Sequence, residues 1–298
     1  KKKQTAYVSL RPGFGGPGIF AHKLLREFRR QDIGITHSRL RRAHAALIFN
    51  VSRGHWFHTL CKMWGVRTVM RVDGFMIPSY FDNRVQPEGS QDRRMSLSNM
   101  AQNYRLQRDL LLSDFVIYQS AWSKTMADKF LYNRQDRYQI VFNGVDLNFF
   151  HPRPRTGQKL RLVCLGALRH EYMLGTVLPV FNRLVNRYDL ELLIIGSLDL
   201  ICQKQIQEFF QLHPQNAGRV QVVGSVENDR LPPILGECDI LVHPRLGDGC
   251  PNSVIEAMAC GVAVVCGSWG GTSELVGDGG IVVETRQWSY GDEFIEGL

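Results

Sequence analysis

Two acidic residues eight positions apart, Asp248 and Glu256, lie in the most chemically suggestive stretch of the chain. Residues 239–261 read DILVHPRLGDGCPNSVIEAMACG, and GGTSELVGDGGIVVE follows from Gly270. The pattern predicts a strand running to Pro244, a glycine-containing loop, and a helix from about Asn252. Gly261 suits the position just past a helix end. Helical side chains lean toward the N-terminus, so Glu256 points back toward the start of its helix. That end offers free N–H groups and a positive dipole, which suit a phosphate. A carboxylate beside it suits a ribose diol, and a sugar nucleotide satisfies both. A capped helix with an exposed Glu is the other reading of the same spacing.

A second candidate lies near the start. Gly13, Gly15 and Gly18 match G-x-G-x-x-G between a predicted strand and helix, which invites a dinucleotide reading. That reading needs an acid about 20 residues on, and the chain offers His37-Ser38-Arg39-Leu40-Arg41-Arg42 instead. Arginines there leave an NADP reading open. The plainer reading is a backbone that approaches an anion at a helix N-terminus, or a turn without a ligand. His55 and His58 have ligand-like spacing but no third ligand nearby, and neither D-x-D nor H-E-x-x-H occurs. The 7 cysteines form no C-x-x-C pair and read as reduced thiols.

These residues need a scaffold. Short apolar runs alternate with helical stretches along all 298 residues. Strands are predicted at 5–10, 46–51, 67–72, 115–119 and 138–142, then at 160–165, 191–195, 219–223, 239–243, 262–266 and 280–283. Helices fit 19–30, 55–64, 93–112 and 121–131, then 175–188, 203–212, 228–236 and 252–260. Such alternation argues for parallel sheets of βαβ units. The expected class is α/β, with two doubly wound Rossmann-like domains. Residues 1–150 form the first and 158–298 the second. Asn143-Gly144 is a turn signal, and the Pro/Gly/basic stretch 151–157 reads as the linker. Open parallel sheets bind ligands at the carboxyl ends of their strands.

Charge divides along the same line. Residues 1–155 carry 26 Lys+Arg against 11 Asp+Glu, a net +15, whereas residues 156–298 carry 10 against 17, a net −7. A basic half suits an anionic surface or a phosphorylated acceptor. Composition is ordinary for a globular chain, which excludes a collagen-like repeat or a disulfide miniprotein. No apolar run approaches the ~18–20 residues of a membrane span, and no secretory signal is expected after Lys1-Lys2-Lys3. Trp56, Phe57, Leu60, Met63 and Trp64 share a helical segment with His55, His58 and Lys62. It reads as a core helix, or as a contact for a lipid surface or a glycan.

Residues 239–284 resemble the donor-site region of family-4 retaining glycosyltransferases of the GT-B fold. The resemblance rests on Asp248, on Glu256-Ala257-Met258-Ala259-Cys260-Gly261 and on Gly270-Gly271-Thr272-Ser273-Glu274-Leu275-Val276. Residues 114–152 (SDFVIYQSAWSK, then IVFNGVDLNFFHP) and the first glycine-rich loop are similar to the same family. The resemblance implies two Rossmann-like domains facing a cleft. It implies a retaining, metal-independent, hexosyltransferase-like transfer of a sugar from a nucleoside-diphosphate sugar to an acceptor hydroxyl.

By the same resemblance, Glu256 holds the ribose hydroxyls and Asp248 lies near the donor sugar. Backbone groups at Gly249, Cys250, Pro251 and Asn252 face the sugar and diphosphate. Gly224, Ser225 and Val226 edge the base, and Gly15 and Gly16 close over the phosphates. Asp73 stands near the reacting carbon. Relatives carry an Arg and a Lys on the loop after Gly166; this chain has no lysine there, which makes Arg169 the candidate and Arg245 the reserve. Asp248 replaces the commoner Glu. The chain stops at Leu298, so the second domain is expected to lack the usual C-terminal helices.

The expected partners are a nucleotide sugar and a glycan, lipid-linked or small-molecule acceptor. No cofactor, metal or nucleic acid is expected. A cytoplasmic location is expected, with peripheral contact to an anionic membrane at its cytoplasmic face through the basic half. A non-catalytic GT-B-like nucleotide- or glycan-binding protein is the alternative. A nucleic-acid-binding protein using the basic half is a third reading, and it lacks aromatic–basic interleaving on a strand surface.

Overall fold

The computed structural model describes residues 4–9, 15–49, 54–75 and 92–285. They divide into two compact units, Lys1–Asn143 and Gly144–Leu298.

The first unit contains β1 (Thr5–Val8), α1 (Gly15–Arg30), β2 (Gly34–Thr36), β3 (Ala45–Phe49), α2 (His55–Met63) and β4 (Arg67–Val72). It continues through α3 (Asp92–Leu112), β5 (Phe115–Tyr118), α4 (Ala121–Phe130) and β6 (Tyr138–Ile140). The strands pair in parallel in the order β2-β1-β3-β4-β5-β6. Strand order reverses between β1 and β3, which is where an open α/β sheet takes a ligand.

The second unit contains β7 (Leu160–Leu165), α5 (Glu171–Leu184), β8 (Leu190–Ile195), α6 (Leu200–Leu212), α7 (Pro214–Ala217) and β9 (Val220–Gly224). Then come α8 (Leu231–Leu235), β10 (Ile240–His243), α9 (Asn252–Ala259), β11 (Ala263–Gly267), α10 (Thr272–Val276) and β12 (Gly280–Val283). Its sheet is also parallel, in the order β12-β11-β10-β7-β8-β9. Here the switch point lies between β7 and β10, so the loops after Leu165 and His243 flank the expected ligand position.

Strand periodicity builds the second core on both faces of its sheet. Val163 and Leu165 of β7 pack with Leu241, Val254 and Ala257 on one face. Leu162 and Cys164 pack with Met173, Phe181 and Phe209 on the other. Continuous apolar strands of this kind are the mark of a sheet covered on both sides. Polar caps start two of the helices. Ser120 Oγ accepts from the Ser123 N–H at 3.1 Å, and Asp199 Oδ1 from the Cys202 N–H at 2.8 Å.

Residues 151–157, read as a linker, lie along the second unit. Thr156 Oγ1 donates to Glu237 Oε1 at 2.9 Å, the Gly157 N–H donates to Glu237 Oε2 at 3.1 Å, and Arg155 pairs with Asp239. Phe150, just before them, is buried in that unit's core. α1 starts at Gly15 rather than Ile19, so Gly15 and Gly16 form its first turn instead of a preceding loop. Gly13 lies outside the described residues. β2, α7 and α10 have no counterpart in the sequence reading. Each is 3 to 5 residues long, too short to show a period.

Candidate functional site

The switch point of the second unit gathers the loop after β7, the loop after β10 and the start of α9. The loop after β10 is shaped by its own side chain. Asp248 Oδ1 accepts from the Cys250 N–H at 3.1 Å, a local turn that fixes the approach to α9. Arg245 Nε stands 3.4 Å from Asp248 Oδ2, with half of the Arg245 side chain exposed. From behind, the Gly247 N–H donates to the Trp269 carbonyl at 2.9 Å and the Gly271 N–H to the Asp248 carbonyl at 2.8 Å. Gly270 has φ +143°, and a Cβ there would lie 3.2 Å from the Asp248 carbonyl oxygen. The Gly270-Gly271 pair therefore lets one backbone lie flat under the other.

Pro251 precedes α9, and no side chain caps the helix. The first turn thus keeps the donor-rich, positive end that suits an anion. Val254 and Ala257 anchor the opposite side in the core. One turn inside the helix, Glu256 is buried, and Asn228 Nδ2 donates to its Oε1 at 3.3 Å. Asn228 belongs to the turn after β9, so Glu256 is tied to the loop that carries Ser225 and Val226. Ser225 is exposed, while Val226 packs partly against the core.

The floor is glycine. Gly166, Gly196 and Gly224 end β7, β8 and β9 with φ of +134°, +137° and +75°. The Gly196 N–H donates to the Gly224 carbonyl at 2.7 Å, and a Cβ on Gly196 would sit 1.7 Å from the Gly166 carbonyl oxygen. Only a glycine permits that contact.

The loop after β7 brings Arg169, which is exposed and, among the described residues, pairs with no carboxylate. His170 stacks on Tyr172 at 5.7 Å, and the Leu246 N–H donates to the Tyr172 hydroxyl at 3.4 Å. That contact ties the loop after β10 to the first turn of α5. Burial, then Arg245 and Arg169, push the His170 pKa below its usual value, while Asp199 pulls it the other way. A proton on His170 would therefore join an already cationic surface.

Beneath the loop, His243 ends β10, buried, and neither ring nitrogen has a hydrogen-bond partner among the described residues. Burial drives its pKa down to about 4, opposed by Asp248 and reinforced by Arg245. It is a neutral imidazole at physiological pH. Sequence reasoning missed His243, Asn228 and Gly196, whose roles arise from tertiary contacts.

Asp73 lies in the first unit, past the end of β4. Its Oδ1 pairs with the Arg71 guanidinium and accepts from Gln119 Nε2 at 2.8 Å; Gln119 also donates to the Asp73 carbonyl at 3.0 Å. Arg71 is buried, bonds Asn143 and lies 3.7 Å over the Phe20 ring. Among the described residues, no three of His, Cys, Asp and Glu gather as a metal-ligating set.

Residues 159–296 match the family model described as Glycosyl transferases group 1. The gpi3 subunit of phosphatidylinositol N-acetylglucosaminyltransferase from Schizosaccharomyces pombe is 24% identical over 147 residues, covering 47% of this chain and 31% of that protein. The chain thus spans about a third of that relative's length. Over the whole chain, sucrose-phosphate synthase from Thermosynechococcus elongatus superposes with a TM-score of 0.72 at 15% identity, covering 96% of this chain and 87% of that one. HepE from Anabaena, solved with UDP and glucose, superposes with a TM-score of 0.66 at 15% identity, covering 95% and 86%. The chain resembles family-4 glycosyltransferases and has the GT-B fold, built from two Rossmann-like α/β domains. Among the described residues, no helix is long and apolar enough to cross a membrane.

Proposed function

We propose that the protein is a retaining, metal-independent glycosyltransferase that moves a sugar from a nucleoside-diphosphate sugar to an acceptor hydroxyl. The observation that carries this reading is the uncapped start of α9, with buried Glu256 one turn inside it and the Asp248 turn before it. The helix end takes the diphosphate. Glu256, oriented by Asn228, accepts from the two ribose hydroxyls. The loop from Gly224 through Val226 edges the base, and Asp248 with the backbone of Gly249 and Cys250 faces the sugar.

As the bond from the anomeric carbon to the diphosphate oxygen breaks, the leaving group takes the bonding electrons and gains negative charge. Arg169 and Arg245, set on the two loops of the switch point, stabilise that charge where a lysine is missing. One pre-aimed donor of this kind is worth on the order of 10²–10³-fold in rate. Asp73 acts near the reacting carbon, held in orientation by Arg71 and Gln119. Gly15 and Gly16, in the first turn of α1, supply backbone N–H groups to the phosphates. UDP is the first nucleotide to try, because HepE, which shares the fold, was solved with it. The acceptor is a glycan, a lipid-linked sugar or a small molecule, met on the basic first domain, which also suits an anionic membrane surface.

The test is donor turnover. The chain is incubated with UDP-, GDP-, ADP- and dTDP-hexoses and simple glycan acceptors, with and without EDTA, and both diphosphate release and product anomeric configuration are read by NMR. Release from one donor, unchanged by EDTA, with the donor's configuration retained, is expected. Inversion, or activity abolished by EDTA and restored by a divalent cation, would overturn the mechanism. Tight diphosphate binding without turnover would favour the non-catalytic reading.

A further inference from the structure

A trough of about 520 Å³ lies in the first unit, between α2 and the segment from Ser38 to Arg42. That volume falls within the roughly 300–1,000 Å³ typical of small-ligand clefts. Its floor is built from the core. Tyr7 and Phe57 are buried and face each other at 5.6 Å. Its walls are two indoles, Trp56 and Trp64, exposed by 65% and 40%. They stand at opposite ends of α2, a rise of about 12 Å along the helix. Trp56 is held in place, edge-on to Phe57 at 6.1 Å, and its ring packs back over Gly54, where a Cβ would lie 3.3 Å away.

Charge completes the trough. Arg39, Arg41 and Arg42 line it and, among the described residues, no acidic one does. Among the described residues, none of the three guanidinium groups meets a carboxylate. Three unpaired cations beside two exposed indoles form no part of the core and add nothing to its packing.

We propose that this trough binds an acidic oligosaccharide, a short chain whose sugars carry carboxylate or sulfate groups. The apolar C–H face of a sugar ring packs flat on an indole, whose large rigid surface suits it. A guanidinium fork matches a carboxylate or sulfate through two parallel hydrogen bonds. Two indoles along one helix favour an extended chain over a single ring. The concave shape favours a discrete ligand over a bilayer, which asks for apolar groups that protrude past a cationic rim. A single-stranded nucleic acid would use the same stacking and charge on a continuous groove, and so enters the test as a competitor. The trough is confined to the first unit and stands independently of the transferase reading.

The full chain is titrated with trigalacturonate, a heparin tetrasaccharide, neutral maltotriose, phosphatidylglycerol vesicles and oligo-dT, with tryptophan emission and calorimetry as readouts. At least one acidic oligosaccharide is expected to bind and change the emission, with maltotriose at least tenfold weaker. Trp56→Ala should weaken binding about tenfold. Arg41→Gln should weaken it about fivefold and reduce its salt dependence. Both sites are on the surface, so folding is expected to survive, checked by an unchanged melt. UDP binding, read in parallel, should be the same in Trp56→Ala as in the parent chain. The proposal is overturned if neither acidic oligosaccharide binds, or if binding is unmoved by both substitutions. Binding confined to the vesicles or to oligo-dT would overturn it equally.

Discussion

Asp73 follows β4 in the first unit and Asp248 follows β10 in the second, and the protein treats these two strand-end aspartates oppositely. Asp73 is nearly buried, paired with the buried Arg71 and bonded by Gln119. Asp248 keeps 22% of its side chain exposed, turns back on the Cys250 N–H and meets Arg245 from the solvent side. One carboxylate is fixed in orientation by a buried cation and an amide. The other is spent on the shape of a loop and remains open on one side. The contrast teaches that a strand-end acid at the ligand edge of a parallel sheet is not by itself a reactive group. Its neighbours decide how much of it is left for a ligand.

The sharpest way to break that comparison is to neutralise each acid. Asp73→Asn leaves the Arg71 cation buried with one charge partner fewer, and breaking a buried pair typically costs about 3–5 kcal/mol. Asp248→Asn touches an exposed pair and should shift stability by less than about 0.5 kcal/mol, while lowering donor affinity. Urea melts of both variants check this, and equal losses would erase the distinction.

The glycine floor comes next. Gly196→Ala drives a Cβ into the Gly166 carbonyl at φ +137° and should cost about 3 kcal/mol. Gly74→Ala, in the Asp73 turn, meets nothing within 4 Å among the described residues and should be near neutral. Paired thermal melts read the difference.

A pH series sharpens the account of the second unit. His243 titrates near 6.5 when unfolded and is lowered to about 4 when folded, by burial. As pH falls through 6.5 the unfolded chain takes up the proton first, so stability is lost between pH 6.5 and about 4. The loss amounts to roughly 3 kcal/mol at the acid end of that window. Asp248 opposes it and Arg245 adds to it. His243→Leu should flatten that part of the profile. A smaller effect is expected from Asn228→Ala, which frees one hydrogen bond to Glu256 and should cost about 1 kcal/mol in nucleotide affinity. Calorimetry with the diphosphate reads it.

Much of this architecture was legible before the structure. The strand from Leu160 to Leu165 and the strand from Arg67 to Val72 are short runs rich in apolar and β-branched residues, and both appear with the expected bounds. The order of Asp248, the α9 start and Glu256 was legible because all three lie within one βα unit. Asn228 was not, since it is 28 residues from Glu256 and meets it only when β9 and β10 are placed in one sheet. Arg71, a charged residue in a strand, carries no local signal of burial. Its burial depends on Phe20 above it and Asp73 beside it, neither of which a strand period reveals. β2 escaped notice because Gly34–Thr36 is too short for alternation and is recruited by pairing with β1.

The central claim is that Glu256 and the start of α9 form a nucleoside-diphosphate site. Its most direct test is thermal stabilisation by UDP, GDP, ADP, CDP and dTDP, in the parent chain and in Glu256→Ala. One diphosphate at about 100 times its Kd should stabilise the parent by about 2.7 kcal/mol, a rise of several degrees in Tm. Glu256→Ala should lose that rise while melting normally without ligand. No shift from any of the five, or a shift that survives in Glu256→Ala, would contradict the account.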